Sequence, residues 1–226
     1  MAGLIGGGAG LAQPGEISRA HHGVLFLDEL AEFQANVLQA LRQPLEIGRV
    51  AITRSGGSVT YPARFTLVAA TNPCPCGWAG DGRRSCRCTP AMIDAYQRRL
   101  SGPLLDRIDL KVGVRRVPLD ALASEPVGES SAPVRERVLS ARRRQMERQG
   151  CLNAQLKPAR LRQLASLDTA SRQTLERWAE QRGLTARGFH RAWRVARTSA
   201  DLEGTDTIAE RHILEALGYR LHDVAA

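Results

Sequence analysis

Lysine is almost absent from this chain, although the chain is strongly basic. Its 226 residues include 32 Lys and Arg in total, yet Lys111 and Lys157 are the only lysines, and the formal net charge is +9. Guanidinium groups bind oxyanions in a bidentate way, so an excess of arginine suits contacts with phosphate. The composition therefore predicts nucleic acid as a partner, although a GC-rich coding sequence produces the same bias with no function behind it.

Long apolar runs are also missing. No run approaches membrane-spanning length, so no membrane partner is predicted. The N-terminus, Met1-Ala-Gly-Leu-Ile-Gly6, has no basic region and no long apolar stretch, which excludes a signal peptide. We therefore expect a cytoplasmic protein. The five cysteines are clustered rather than spread, which favours a metal site over disulfides.

A phosphate-binding loop of the pattern G-x-x-x-x-G-K-[ST] is also missing from the sequence. Glycines occur at Gly6-Gly-Gly-Ala-Gly10, but neither lysine follows a glycine or precedes Ser or Thr. The glycine-rich start is therefore interpreted as a flexible stretch.

The stretch Gly23-Val-Leu-Phe-Leu-Asp-Glu-Leu30 organises the rest of the chain. Val24 to Leu27 are apolar without alternation, which is typical of a strand buried on both faces of a parallel α/β sheet. Ligands of such sheets lie beyond the carboxyl ends of the strands, where Asp28 and Glu29 follow. A nucleotide hydrolase needs this pair, because the first carboxylate holds Mg²⁺ and the second polarises the attacking water. The simpler alternative is that Asp28 caps the next helix and Glu29 favours its first turn.

Periodicity predicts the elements that follow. Apolar residues keep helical spacing from Glu29 to Gln43, and Pro44 is expected to end that helix. The segments Arg49–Arg54 and Ser58–Tyr61 alternate as strands around a Ser-Gly-Gly-Ser turn, which predicts a β-hairpin.

A second buried strand is predicted at Phe65–Ala70, and Thr71-Asn72-Pro73 follows it. Residues 90–100 are helical in pattern, and a short strand is expected through Val114. We predict a core at 1–117, a linker at 118–133, where Pro, Gly and Ser are frequent, and a helical domain at 134–226. Helices in that domain are expected over about 134–149, 158–166, 169–182, 186–203 and 207–217.

Four cysteines form a metal-ligand pattern. Cys74-Pro-Cys76 and Cys86-Arg-Cys88 are separated by nine residues, so four thiolates are available for tetrahedral Zn²⁺. The C-x-x-C spacing is more usual, and free buried thiols or a redox pair are the alternatives. Cys151 stands alone and is interpreted as structural.

Taken in order, several segments resemble an AAA+ ATPase. Gly23–Leu30 resembles a Walker B motif, Asn72 a sensor 1 residue, Gly102–Asp109 an arginine-finger segment and Thr185–Arg191 a sensor 2. More closely, the chain resembles magnesium-chelatase-like bacterial proteins of the YifB/ComM type. That resemblance spans essentially the whole chain and is carried by Pro14-Gly-Glu-Ile-Ser18, Tyr61-Pro-Ala-Arg-Phe65, Asn72-Pro-Cys-Pro-Cys-Gly77 and Leu104-Leu-Asp-Arg-Ile-Asp109.

The resemblance implies a ring-forming, hexameric ATPase that uses ATP and Mg²⁺. Its fold class is α/β, with a partial AAA+ (P-loop NTPase-type) parallel-sheet core followed by an α-helical lid domain. It also implies DNA handling as a branch-migration helicase in natural transformation. Family members carry a Lon-protease-like domain and a Walker A loop upstream, and both are missing here. We therefore expect a C-terminal fragment or a truncated gene product that is inactive in isolation.

The resemblance also implies roles for single residues. Asp28 then holds Mg²⁺ and Glu29 activates water. Asn72 holds that water or the γ-phosphate, although an asparagine before proline also opens ordinary turns. Arg107 is implied as a finger that reaches the nucleotide of a neighbouring subunit, and a surface salt bridge is the alternative.

Arg187 is implied as the sensor 2 residue that contacts the nucleotide. Thr185 fits the N-cap position, which places Arg187 in a first helical turn, where the helix dipole disfavours a cation. An anion is therefore expected near Arg187. The alternative is a solvated stripe that Arg187 forms with Arg191 and Arg194 on the face opposite Phe189, Trp193, Ala196 and Ala200.

The hairpin is the expected DNA contact, since a ring of this kind directs it toward the central pore. Its tip has no bulky group for stacking on bases, so it offers amides, hydroxyls and arginines to phosphates without reading sequence. The implied contacts are Arg49, Arg54, Ser55, Gly56, Gly57 and Ser58. Single-stranded or branched DNA is the expected partner. Two alternatives stay open: a chelatase-type motor acting on a protein partner, and a zinc-stabilised oligomerisation module without catalysis.

Overall fold

A computed structural model describes residues 2–8, 12–54, 57–100, 102–118 and 128–220. The chain divides into two compact units, Met1–Ile108 and Asp109–Ala226. Most of the predicted linker, residues 119–127, lies outside the described ranges, and a helix begins within the predicted linker at Ser131.

The first unit mixes strands with mostly short helices. Its strands are β1 (Gly6–Gly7), β2 (Gln13–Pro14), β3 (Val24–Leu27), β4 (Arg49–Arg54), β5 (Gly57–Pro62) and β6 (Thr66–Ala69). Its helices are α1 (Ala2–Ile5), α2 (Glu16–Arg19), a 3₁₀ helix (Leu30–Glu32), α3 (Ala35–Ile47), α4 (Pro90–Arg99) and α5 (Gly102–Leu105). Within the described ranges β1 pairs with β2, β3 with β6, and β4 with β5.

The β3–β6 pair is parallel, as predicted for an α/β core. Its register runs from Val24 opposite Thr66 to Leu27 opposite Ala69. The prediction that β3 is buried on both faces is wrong. Leu25 and Leu27 are buried, whereas Val24 is 63% exposed and Phe26 is 58% exposed, because only one face of the pair packs on the core of the described residues.

The predicted hairpin is confirmed, since β4 and β5 are antiparallel over their full length. The predicted end of the preceding helix at Pro44 is wrong. Helix α3 continues through Pro44 to Ile47 and ends at Gly48, which has a left-handed φ of 69°. Proline removes one backbone hydrogen bond, but Pro44 is buried on the same helix face as Leu41, and that packing opposes the loss.

The strand expected through Val114 is also absent from the described structure. Val112 is 67% exposed and Val114 is 90% exposed, and no described strand pairs with this segment. A short apolar alternation without a partner strand has no ladder to join.

The second unit is helical. Its helices are α6 (Ser131–Gln149), a 3₁₀ helix (Asn153–Gln155), α7 (Pro158–Leu164), α8 (Thr169–Arg182), α9 (Ala186–Glu203) and α10 (Glu210–Gly218). These confirm the five helices predicted in this region. The apolar face of α9 lies in the core with Leu175 and Ile213, and its buried members are Trp193, Ala196 and Ala200. Among the described residues, we find no helix with both the length and the apolar character needed to span a membrane.

Candidate functional site

The carboxyl ends of β3 and β6 bring three of the predicted site residues to one edge of the first unit. Asp28 and Glu29 directly follow β3, and Asn72 lies three residues after the end of β6. Backbone bonds join the two segments past the strands, because the Ala70 N–H donates to the Leu27 carbonyl at 2.9 Å and the Leu30 N–H donates to the Ala70 carbonyl at 2.8 Å. The side chains of Asp28, Glu29 and Asn72 are exposed.

Glu29 has a left-handed backbone, with φ of 50° and ψ of 45°. This conformation is uncommon outside glycine and costs about 1 kcal/mol or more. The Glu29 N–H donates to Oδ1 of Asp28 at 2.8 Å, so the Asp28 carboxylate is oriented by the turn that it begins. Strained positions of this kind cluster at functional sites.

Tyr96 is a neighbour of this edge that sequence reasoning missed. It lies on α4 and is 4% exposed. Burial raises the pKa of its phenol, and the charges of Glu32 and Glu29 raise it further, whereas a hydrogen bond involving Thr71 lowers it. No local pattern marks Tyr96, since its position depends on how α4 packs. Arg99 of the same helix donates to the Ala31 carbonyl and to Glu32, each at 3.3 Å, which ties α4 to the segment after Glu29.

Arg107 is held inside the first unit. Its guanidinium pairs with the Glu46 carboxylate of α3 and donates to the Pro103 carbonyl, and its side chain is only 8% exposed. The structure therefore places the Arg107 side chain, itself buried, in an ion pair with an exposed carboxylate of its own chain. The finger role stays a prediction.

Arg187 lies in the second unit, in the first turn of α9. The Gly188 N–H donates to Oγ1 of Thr185 at 3.1 Å, which confirms Thr185 as the N-cap. The alternative of a solvated stripe is wrong for two of its members. Arg191 pairs with Oδ1 of Asp109 at 2.6 Å, and Arg194 donates to the His190 and Ala154 carbonyls. Arg187 itself is exposed, and its nucleotide contact stays a prediction.

The four clustered cysteines converge as predicted. Their sulfur atoms all lie within 4.8 Å of one another, and Sγ of Cys74 is 3.5 Å from that of Cys76 and 3.7 Å from that of Cys86. Four sulfurs bound to one tetrahedral zinc ion at about 2.3 Å lie about 3.8 Å apart. The cluster therefore has the size of a zinc site, and the sulfurs are too far apart for disulfides.

Backbone groups shape this cluster. The N–H groups of Trp78 and Arg87 lower the pKa of the Cys76 thiol to about 6, and the Ala79 N–H donates to the buried Cys74 sulfur at 3.4 Å. Nε2 of Gln97 donates to the Pro73 carbonyl at 3.3 Å. The loop that begins at Asn72 is thus tied to α4 on one side and to the cysteines on the other.

The hairpin contributes the predicted DNA-binding positions. Arg49 begins β4 opposite Pro62, and Arg54 ends it opposite Gly57. Val50 and Ile52 are buried, so one face of the hairpin packs on the core, while Oγ1 of Thr53 bonds with Oγ of Ser58 at 3.2 Å near the tip. The tip residues Ser55 and Gly56 lie outside the described residues.

Two family models match the chain. One, described as "Magnesium chelatase, subunit ChlI", matches residues 1–122. The other, described as "Magnesium chelatase, subunit ChlI C-terminal", matches residues 128–220.

Curated proteins with similar sequences are longer than this chain. Uncharacterized protein YifB of Escherichia coli K12 is 46% identical over 222 residues, which cover 97% of this chain and 43% of that protein. Competence protein ComM of Haemophilus influenzae is 47% identical over 222 residues, which cover 97% of this chain and 43% of that protein. The magnesium-chelatase 38 kDa subunit of Cereibacter sphaeroides is 34% identical over 61 residues, which cover 27% of this chain and 18% of that protein. The chain thus spans less than half the length of YifB and ComM.

Proposed function

The chain belongs to the magnesium chelatase subunit ChlI family, as its motifs predict, and from that premise we propose that it is part of an AAA+ ATPase that couples ATP hydrolysis to DNA remodelling. The carboxyl edge of the β3–β6 pair carries the proposal, because Asp28 and Glu29 follow one strand and Asn72 follows its parallel partner. Carboxylates and an amide at such an edge are the groups that nucleotide hydrolysis uses.

In the proposed chemistry, Asp28 holds Mg²⁺, which neutralises charge on the phosphates of a bound nucleotide. Glu29 polarises the attacking water, and Asn72 helps to position it. The exposed carboxylates fit a hard cation. The loop amides and lysine that cradle phosphates do not occur in the 226 residues. We therefore propose that a longer protein hydrolyses ATP and that this chain alone neither binds ATP tightly nor hydrolyses it.

Two arginines complete the proposed site. In a hexameric ring, Arg107 would leave Glu46 and reach the γ-phosphate bound by the neighbouring subunit, where a guanidinium stabilises transition-state charge. Arg187, in the first turn of α9, would contact the nucleotide from the helical unit, which we propose as the lid. The order of the motifs along the chain supports both roles.

We propose single-stranded or branched DNA as the substrate. Support comes from the net charge of +9, from the β4–β5 hairpin and from the similarity to a protein named for competence. Arg49 and Arg54 would contact phosphates, which position DNA without reading its sequence. We place this activity in the cytoplasm. A motor that acts on a protein partner is the second candidate, favoured by the similarity to the magnesium-chelatase 38 kDa subunit.

We also propose that Cys74, Cys76, Cys86 and Cys88 hold one Zn²⁺. The mutual distances of their sulfur atoms support this, since they match the edges of a tetrahedral site. The metal would close the loop that follows Asn72 and so help to fix the sensor residue.

Steady-state ATP turnover by the full-length protein tests the proposed catalysis. We expect Glu29→Gln to lower turnover by about a hundredfold or more while nucleotide binding persists, because only the activation of water is lost. Glu32→Gln is the matched control, since Glu32 lies three residues away and pairs with Arg99 instead. Equal turnover in wild type and Glu29→Gln would remove Glu29 from the mechanism.

A further inference from the structure

A cavity of about 340 Å³ lies at the base of the hairpin. Its polar lining consists of two histidines from the turn before β3, His21 and His22, together with Arg49, Thr60 and Arg64. Arg49, which is also one of the proposed DNA contacts, begins β4 at this cavity, whereas Arg54 and the hairpin tip lie at the opposite end of β4.

The lining of the cavity is basic and includes no carboxylate. Within the described ranges, neither the Arg49 nor the Arg64 guanidinium has an ion-pair partner. Four other arginines of the same unit do have one: Arg19 with Glu16, Arg98 with Asp94, Arg99 with Glu32 and Arg107 with Glu46. Both arginines of this cavity are exposed, and their guanidinium groups are available to an anion from solution.

The histidines are fixed by the backbone of Arg64. The Arg64 N–H donates to Nδ1 of His21 at 3.0 Å, and the His22 N–H donates to the Arg64 carbonyl at 2.6 Å. Because Nδ1 of His21 accepts a hydrogen bond, the proton of its neutral ring is on Nε2, which remains as a donor. The two imidazole rings lie only 3.9 Å apart.

His21 lies among basic groups. Burial lowers the pKa of His21, and the nearby charges of His22 and Arg64 lower it further. A positive potential at a group that has no internal anion favours the binding of one from solution.

Gly48 allows Arg64 to lie across the cavity. Its φ is +69°, and a Cβ at this position would come 2.8 Å from Cγ of Arg64. The aliphatic stem of Arg64 therefore occupies space that the side chain of any residue larger than glycine would fill.

We propose that this cavity binds a phosphate group. Donors from four segments line it: the Arg49 guanidinium of β4, the Thr60 hydroxyl of β5, the Arg64 guanidinium between β5 and β6, and the His21 ring before β3. Donors arriving from several directions suit a tetrahedral oxyanion, and guanidinium groups bind two of its oxygens at once. The phosphate can come from a free phosphate compound or from a DNA backbone. The inference stands on these residues and does not depend on ATP hydrolysis or DNA remodelling.

Histidine signals in NMR spectra of the 226-residue chain test this binding. Titration with inorganic phosphate at constant ionic strength should shift the imidazole signals of His21 and His22 and raise the pKa of His21, because a bound anion stabilises the protonated ring. We expect half-saturation at about 1 mM, which is typical of a small anion held by a few charged hydrogen bonds. Sodium chloride at the same ionic strength is the control for screening.

Variants separate the cavity from a general effect of charge. Arg49→Gln/Arg64→Gln should weaken phosphate binding by roughly tenfold or more, since each arginine removed costs a charge-assisted hydrogen bond. Arg98→Gln, which removes the same charge from an ion pair on α4, should bind phosphate as wild type does. If the double variant does not fold, Arg49→Gln alone is compared with wild type for phosphate binding, since Arg49 is exposed and its substitution should leave the fold intact.

Two further titrations identify the source of the phosphate. If ATP shifts the histidine signals at the same concentration as inorganic phosphate, a free phosphate compound is supported as the ligand. Single-stranded DNA shifting them at a lower phosphate concentration would support a backbone contact. The inference is overturned if phosphate leaves both histidines unmoved, or if the double variant responds as strongly as wild type. Failure of DNA binding alone would count against the proposed function and not against the cavity, provided inorganic phosphate still binds.

Discussion

At the scale of single residues, Asp201 is a charged residue that the fold buries. Its carboxylate is almost fully buried and accepts hydrogen bonds from Arg148, at 2.6 and 3.0 Å, and from Asn153, at 2.8 Å. Arg197, also buried, pairs with it at 3.0 Å. Burial alone raises the pKa of Asp201, but the hydrogen bonds from Arg148 and Asn153 and the charge of Arg197 hold it below its ordinary value.

Asp201→Asn should therefore destabilise the chain by about 3–5 kcal/mol at neutral pH, because two arginines lose their shared counter-charge. A lowered folded-state pKa contributes stability above the ordinary aspartate pKa of about 4, and this stability is lost as the pH falls through the folded-state value. The difference between variant and wild type should thus shrink in acid. Urea unfolding across pH measures it.

The matched control for that substitution is Asp206→Asn. Asp206 pairs with Arg144 at 3.7 Å, and the Asp206 side chain is 97% exposed. Losing its charge should therefore change the free energy of unfolding by less than about 1 kcal/mol. Equal effects of the two substitutions, or a difference that grows in acid, would contradict the account of Asp201.

Some site residues are predictable from sequence and others are not. Asp28, Glu29 and the cysteines belong to short motifs, where neighbours in the chain are also neighbours in space. Tyr96 and the Glu46 partner of Arg107 come from distant segments that meet only through packing, so no local pattern indicates them.

At the scale of elements, the cysteine loop is the clearest case of a structure that a metal would complete. We expect one zinc ion per chain after purification without added metal, and we expect Cys86→Ser/Cys88→Ser to lose it, since two thiolates do not hold a structural zinc site. Elemental analysis measures the content.

Cys151→Ser is the control for the zinc measurement, because Cys151 lies outside the cluster and should keep full zinc content. Unchanged zinc in the Cys86/Cys88 variant would exclude these thiols as ligands.

A further prediction concerns DNA binding by the hairpin. In the full-length protein, Arg54→Ala should weaken binding equally for DNAs of different sequence and flatten the dependence of log affinity on log salt by about one unit, because one phosphate contact is lost. Fluorescence anisotropy over a range of salt concentrations measures both effects.

Arg98→Ala serves as the control for the hairpin, since Arg98 is already neutralised by Asp94 on α4. A salt slope that is unchanged in Arg54→Ala, with affinity also unchanged, would remove the hairpin tip as the DNA contact.

Elements differ in how well the sequence predicts them. The helices of the second unit follow from apolar periodicity, and α9 shows it most clearly. Local rules fail where tertiary packing decides. Helix α3 passes through Pro44 because that residue is buried, and the segment through Val114 is not a strand because no described strand lies beside it.

At the scale of the whole molecule, the chain combines an α/β unit and a helical unit, and each has its own apolar core. The order of motifs along the chain predicted the family, and the family models confirm it. The exposed face of β3 shows what the sequence did not predict. A run of apolar residues indicates that both faces of a strand are suited to burial, but which face is covered depends on what packs there.

At this scale we propose that ATP turnover and DNA binding are coupled through this chain. The most direct test is steady-state ATP turnover by the full-length protein, measured with and without single-stranded and branched DNA at fixed salt. We expect each of these DNAs to raise turnover several-fold, and we expect Glu29→Gln to remove the DNA-stimulated turnover. Turnover that is identical with and without DNA, at concentrations where anisotropy shows DNA to be bound, would contradict it.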